Sequence, residues 1–87
     1  MDTLNTAEYD RQAMGRVVRR LRKERGLSQE VFSGLAGLAR SHLAMIESGR
    51  KQANLETLWK IAAACEIRPS QLVLAIEREC ARLERKN

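Results

Sequence analysis

Leu27 to Gly49, LSQEVFSGLAGLARSHLAMIESG, is the stretch that leaves this chain the fewest choices. Ser28 can cap a helix over Gln29 to Ala36, Gly37 turns the chain, and Arg40 to Ser48 form a second helix that Gly49 stops. A serine oxygen suits the cap because it accepts from a free first-turn N–H. Glycine suits the turn and the stop because it enters left-handed backbone without a steric penalty. Two short helices joined by a tight glycine turn are a helix-turn-helix arrangement.

The rest of the chain must complete a core around that unit. Eighty-seven residues make one small domain, and 44% hydrophobic residues suffice for a globular fold. Aromatics are only 3%, so the core is aliphatic and there is no platform for stacking unpaired bases. The net charge of +5 is unevenly spread. Residues 11–51 carry ten Lys or Arg against three Glu, and the remainder is net acidic. A basic excess on and just before the two short helices attracts polyanions. Charge alone leaves a solubilising surface equally open.

Cys65 and Cys80 are the only cysteines and His42 the only histidine, so no four-ligand Cys/His zinc site can be assembled within one chain. Both cysteines fall at apolar helix positions and read as reduced, structural thiols, as in a cytosolic protein. The N-terminus, MDTLNTAEYD, is unlike a signal peptide, and no apolar run approaches the ~20 residues of a membrane span.

Five helices and no strand are expected. The first begins near Thr6, where Asn5 and Glu8 have capping-box spacing, or near Asp10, because Gly15 weakens its middle. Residues 1–9 are accordingly a tail or helix extension, and 10–87 the domain. Met14, Val17, Val18 and Leu21 form the buried stripe, Arg16, Arg19, Arg20, Lys23 and Arg25 lie mostly off it, and Gly26 ends the helix. Val31, Phe32, Leu35 and Ala36, then Leu38, Leu43 and Ile46, supply apolar positions to the two short helices, where Gly34 is either a weak helix residue or a close-packing point. Asn54 caps a fourth helix bearing Leu55, Leu58, Ile61, Ala62 and Cys65, and Glu66 follows it where Gly or Asn is usual. Pro69 opens a fifth, to about Arg85, on which Val73, Ile76, Cys80 and Leu83 have a seam-like 3-4-3 spacing and Leu72 turns inward. Glu77, Glu79 and Glu84 alternate with Arg as surface pairs.

Taken together, Leu21–Arg22, Arg25–Gly26, Leu27–Ser28–Gln29–Glu30, Phe32, Gly37–Leu38, Ser41, Leu43, Ile46–Glu47, Gly49, Leu58 and Ile61–Ala62 resemble the signature of the phage-repressor and Cro type of helix-turn-helix, the Xre family. The match runs over about residues 15 to 75. The resemblance implies an all-α, five-helix, lambda-repressor-like DNA-binding domain.

It also implies roles. Arg40, Ser41, Ala44 and Met45 would face the groove, where Arg40 can pair with guanine O6 and N7 and the apolar pair can touch a thymine methyl. Arg40 as a phosphate clamp is the alternative. Ser28 and Gln29 at the first short helix's N-terminus, with Ser48, Arg50, Lys51 and Gln52 or Asn54 after the second, would grip phosphates. His42 either packs beside the turn, reaches a phosphate, or is a plain surface residue. Glu47 would pair with Arg22 and lock the first helix to the third. The pattern is broken at Ser33, at bulky Leu35 and Trp59, and at Ala39, a poor cap that would let the reading helix start late with Ser41 as its cap.

The function that follows is sequence-specific double-stranded DNA binding by a homodimer on a palindromic operator, with Val73, Ile76, Cys80 and Leu83 as the self-contact. A compact prokaryotic or phage repressor, or a restriction–modification controller, fits the chain's size. Two alternatives stand: an antitoxin with Leu35 and Trp59 against a toxin, or a protein-interaction module on the same fold without DNA. An enzyme is poorly supported, with no metal cluster and no nucleophile beside a visible base. Neither a cofactor nor a membrane partner is expected.

Overall fold

The computed structural model describes residues 7–86, and helices are the only regular elements among them. The order is α1 (Ala13–Glu24), α2 (Gln29–Ala36), α3 (Arg40–Glu47), α4 (Leu55–Cys65) and α5 (Pro69–Lys86). Asn5 and Thr6 lie outside the described residues, and residues 7–10 are not helical. The later of the two expected starts is therefore the one found. Asp10 makes the entry: its Oδ1 accepts from the Gln12 N–H at 2.8 Å and its carbonyl from the Ala13 N–H at 3.0 Å.

Local chemistry sets the remaining ends. Ser28 Oγ accepts from Val31 N–H and Asn54 Oδ1 from Thr57 N–H, each satisfying a first-turn donor. At the end of α2 the Gly37 N–H reaches Gly34 O and the Leu38 N–H reaches Ser33 O, with Gly37 at φ 71°. That is a Schellman stop, and it turns the chain into α3. The same pair of bonds closes α4 around Glu66, whose φ of 59° puts a side chain where glycine is more at ease.

The core is aliphatic around one aromatic. Val17, Val18, Phe32, Leu43, Ile46, Ile61 and Leu72 are fully buried. α1 packs on α3 and α5, α2 on α3 and α4, and α4 on α5. All five helices thus share one interior, and the two short ones are held by the three longer.

The close-packing role falls to Gly15, and of the two readings of Gly34 the weak helix residue is the one found. A Cβ on Gly15 would lie 2.5 Å from the Glu47 carbonyl oxygen and nearer still to that of Ile46. Gly15 is therefore where the α1 and α3 backbones touch. Gly34 is exposed, and a Cβ there would meet nothing within 4 Å, so it is no packing point.

Candidate nucleic-acid interface

α3 is two-sided. Leu43 and Ile46 are fully buried on its inner side. Arg40 and Ser41 are exposed, and Ala44 and Met45 half-exposed, on its outer side. The structure therefore brings the four candidate base-reading residues onto one outward surface. α3 starts at Arg40, not late: Ala39 is extended at φ −66° and ψ 142°, and its carbonyl accepts from the Leu43 N–H at 3.1 Å. Ser41 is not the cap, because Ala39 already takes the cap conformation without a side-chain bond.

Arg22 and Glu47 meet as a bidentate pair, Nε to Oε2 at 2.7 Å and Nη2 to Oε1 at 2.9 Å. Their side chains are 9% and 4% exposed. Arg22 Nη1 also donates to Leu27 O at 2.7 Å, and Gln29 Nε2 donates to Glu47 Oε1 at 3.0 Å. The bond to Glu47 raises the Arg22 pKa above its ordinary value, against the opposing effect of burial. One carboxylate thus ties α1, the start of α2 and the end of α3 together.

That arrangement changes what the expected phosphate ligands have free. The amide of Gln29 is committed to Glu47. Ser28 Oγ and Asn54 Oδ1 accept as helix caps, which leaves the serine hydroxyl proton and the Asn54 amide N–H groups to donate outward. Ser48 Oγ donates to Met45 O at 3.1 Å. Gln52 is committed to the N-terminal segment: it donates to Arg11 O at 3.0 Å and accepts from the Tyr9 hydroxyl. Arg50 and Lys51 are exposed in the loop after α3, and His42 is half-buried.

Several residues were not legible as participants. Tyr9 and Gln52 pin the N-terminal segment to the α3–α4 loop, and nothing in their spacing announces it. Glu79 is not a surface residue: it is 4% exposed, bonded to Arg82 at 2.5 and 3.1 Å and to Arg20 at 3.4 Å. Arg82 first, aided by Arg20, holds its carboxyl below the usual glutamate range against the cost of burial.

The expected self-contact on α5 is not a free face. Ile76 and Cys80 are 6% and 5% exposed within the chain's own core, and Leu83 packs against that core. The seam-like spacing serves α5 against α1 and α4, which demands the same apolar repeat as a partner helix would. Only Val73 of the four is exposed. With Leu74 it joins Leu55 and Trp59 of α4 in an apolar groove whose lining also includes Pro69, Arg68 and Glu77. Leu35 lies in a different groove, with Leu27, Ala63 and Ala64. Leu35 and Trp59 thus line different grooves, although Ala63 beside Leu35 is one helical turn from Trp59 on α4. Cys65 and Cys80 are both free and buried, and burial pushes the Cys65 thiol pKa up. None of the described helices is long and apolar enough to cross a membrane.

An outward α3 face, a glycine-turned α2–α3 unit and the Arg22–Glu47 lock define the DNA-binding helix-turn-helix class. The helix-turn-helix family model HTH_3 matches residues 18–72, and the chain belongs to that family, transcription regulators of the Xre and phage-repressor type. It is 39% identical over 66 residues to the control protein C.MunI of Mycoplasma sp, covering 75% of this chain and 89% of that one. It is 40% identical over 60 residues to the immunity repressor protein of Bacillus phage phi105, covering 69% of this chain and 42% of the repressor. The crystal structure of the restriction-modification controller protein C.AhdI from Aeromonas hydrophila superposes with a TM-score of 0.70 at 37% identity, over 75% of this chain and 98% of that one.

Proposed function

We propose that this chain is a sequence-specific regulator of controller or repressor type that binds a palindromic double-stranded operator as a homodimer. The observation that carries the reading is the outward face of α3. Arg40, Ser41, Ala44 and Met45 are available there while Leu43 and Ile46 anchor the opposite side. Arg40 pairs with a guanine edge, Ser41 reads an adjacent edge, and Ala44 and Met45 meet thymine methyls. Arg50 and Lys51, with donors left on Ser28 and Asn54 and with His42, hold the phosphates; Ser48 and Gln29 chiefly shape the helix ends. The likeness to the C.MunI control protein and the C.AhdI controller supports the controller type.

A single α3 spans only a few base pairs, and a two-fold dimer reading half-sites ~34 Å apart gains both affinity and specificity. The groove of Leu55, Trp59, Val73 and Leu74 suits a second copy of the chain. Exposed apolar residues gather there, and Arg68 and Glu77 in its lining carry opposite charges that can pair across a two-fold axis.

Selection from random duplex DNA with purified protein tests the reading. Recovery of a palindrome is the expected result, and an unstructured pool of sequences refutes it. On the recovered site, Arg40→Ala should lose about 1–3 kcal/mol of discrimination at one position per half-site. Lys51→Ala should weaken all sequences alike and lower the salt slope by about 1. Sedimentation should show a dimer that Trp59→Glu converts to monomer; a monomeric wild type at micromolar concentration removes the homodimer.

A further inference from the structure

The outward face of α1 carries a row of cations that the DNA-reading unit does not use. Arg16, Arg19 and Lys23 recur at helical spacing and are all exposed. Among the described residues, none of them lies within 4.0 Å of a carboxylate, since the ion pairs there join other arginines to Glu47, Glu66 and Glu79. Three acids line the same groove: Glu47 is neutralised by Arg22 and Glu79 by Arg82 and Arg20, while Glu24, at the C-terminal end of the row, is in no ion pair among the described residues. The row therefore presents an excess of positive charge, three cations against the one free carboxylate of Glu24, whereas on the outward face of α5 Glu77 and Glu84 stand among the arginines.

The row also borders a defined groove. Its floor and walls include Arg16, Arg19, Lys23 and Arg82, and the wall on the α3 side is Glu47 and Ser48. The groove is thus continuous with the end of the reading helix. A helix rises 1.5 Å per residue, so Arg16 to Lys23 span about 10 Å. A DNA strand carries a phosphate every ~3.4 Å of axis, so the row has the length of about three phosphates.

We propose that Arg16, Arg19 and Lys23 form a second phosphate track, which holds the DNA backbone where it leaves the half-site read by α3. The inference rests on the DNA-reading assignment above and adds a flanking contact to it. Its signature is a dependence on DNA length. Base reading ends at the operator, whereas the track needs duplex beyond it.

The test compares wild type with the Arg16→Gln/Arg19→Gln/Lys23→Gln variant by fluorescence anisotropy across a salt series. Two duplexes carry the selected operator: one ends at its outer bases, the other continues for ~10 base pairs on each side, one helical turn. All three positions are exposed and off the buried stripe, and circular dichroism checks that the variant is folded. Wild type should bind the longer duplex more tightly and with a steeper salt slope. The variant should match wild type on the short duplex and lose the added slope on the long one. The expected loss is about 0.9 in slope per phosphate contact, or about 40-fold in the salt response between ~50 and ~200 mM for three contacts. An unchanged slope on the long duplex overturns the track and is the result expected if the row serves an acidic protein instead. Equal weakening on both duplexes also overturns it, because the cations then act within the half-site. Arg40→Ala, run alongside, separates the two assignments. If the track is right and base reading wrong, Arg40→Ala keeps sequence preference while the triple variant still loses the length-dependent slope.

Discussion

Glu47→Ala should be the most damaging single truncation on the surface-facing side of this domain. Removing the carboxylate leaves the Arg22 guanidinium, 9% exposed, with two of its N–H groups unpaired, and leaves the Gln29 amide without its acceptor. Breaking a buried pair in this way costs about 3–5 kcal/mol. The lower end applies here, because Arg22 keeps its bond to Leu27 O and sits close enough to the surface for water to enter. For a domain of this size ~1 kcal/mol moves the melting temperature by about 4–8 °C, so ~3 kcal/mol lowers it by about 12–24 °C. Circular dichroism melts at neutral pH measure it directly. The companion variant Arg22→Met/Glu47→Leu removes both charges and replaces them with apolar bulk, and it should recover most of the loss, because an apolar pair needs no compensating partner. A Glu47→Ala melting temperature within about 2 °C of wild type would mean the pair is solvated and locks nothing. A double variant as unstable as the single one would mean that the ion pair stabilises in its own right.

Two glycines on helices should respond in opposite directions. Gly15→Ala drives a methyl into the Ile46 and Glu47 carbonyls and should cost about 1–3 kcal/mol, whereas Gly34→Ala fills open space and should gain about 1 kcal/mol from helix propensity. Urea titrations measure both: a Gly15→Ala variant as stable as wild type would refute the α1–α3 contact, and a destabilised Gly34→Ala would refute the open space at Gly34. Acid should expose the role of Glu79. Its pKa is lowered by folding, so its stabilisation is complete above the unfolded-state value of ~4.3 and drains away as pH falls through the lower folded value. Melting temperatures of wild type and Glu79→Gln should therefore differ most above that window and converge below it; parallel curves across the acid range would show that Glu79 gains nothing from Arg82 and Arg20.

The helical framework was readable because its signals are local. Ser28, Asn54, Gly26 and Gly37 act within a turn of where they stand, and each ends or begins a helix as its chemistry requires. The outward face of α3 was readable for the same reason, since Leu43 and Ile46 fix which side is buried. What failed were questions of partner. Ile76, Cys80 and Leu83 announce an apolar stripe, but a stripe carries no mark of whether its complement lies in the same chain or another. Glu79 followed by Arg82 is the pattern of an exposed i,i+3 pair, and only the return of α1 with Arg20 buries it. Gly15 and Gly34 are identical as letters, and the difference between them is the passage of another backbone. Ala39 misled because cap preference is a side-chain rule, while the backbone took the cap geometry unaided.

The Gly15 crossing makes the specificity of this protein portable. α3 is fastened from behind by main-chain atoms of Ile46 and Glu47 and by one carboxylate at its last turn. The surface proposed to address the double helix, at Arg40, Ser41, Ala44 and Met45, takes no part in that fastening. Fixture and message occupy opposite sides of the same eight-residue rod. On the proposed reading, those four letters can be rewritten for another operator while the scaffold keeps its melting point, so relatives with unrelated targets can diverge there without renegotiating the fold.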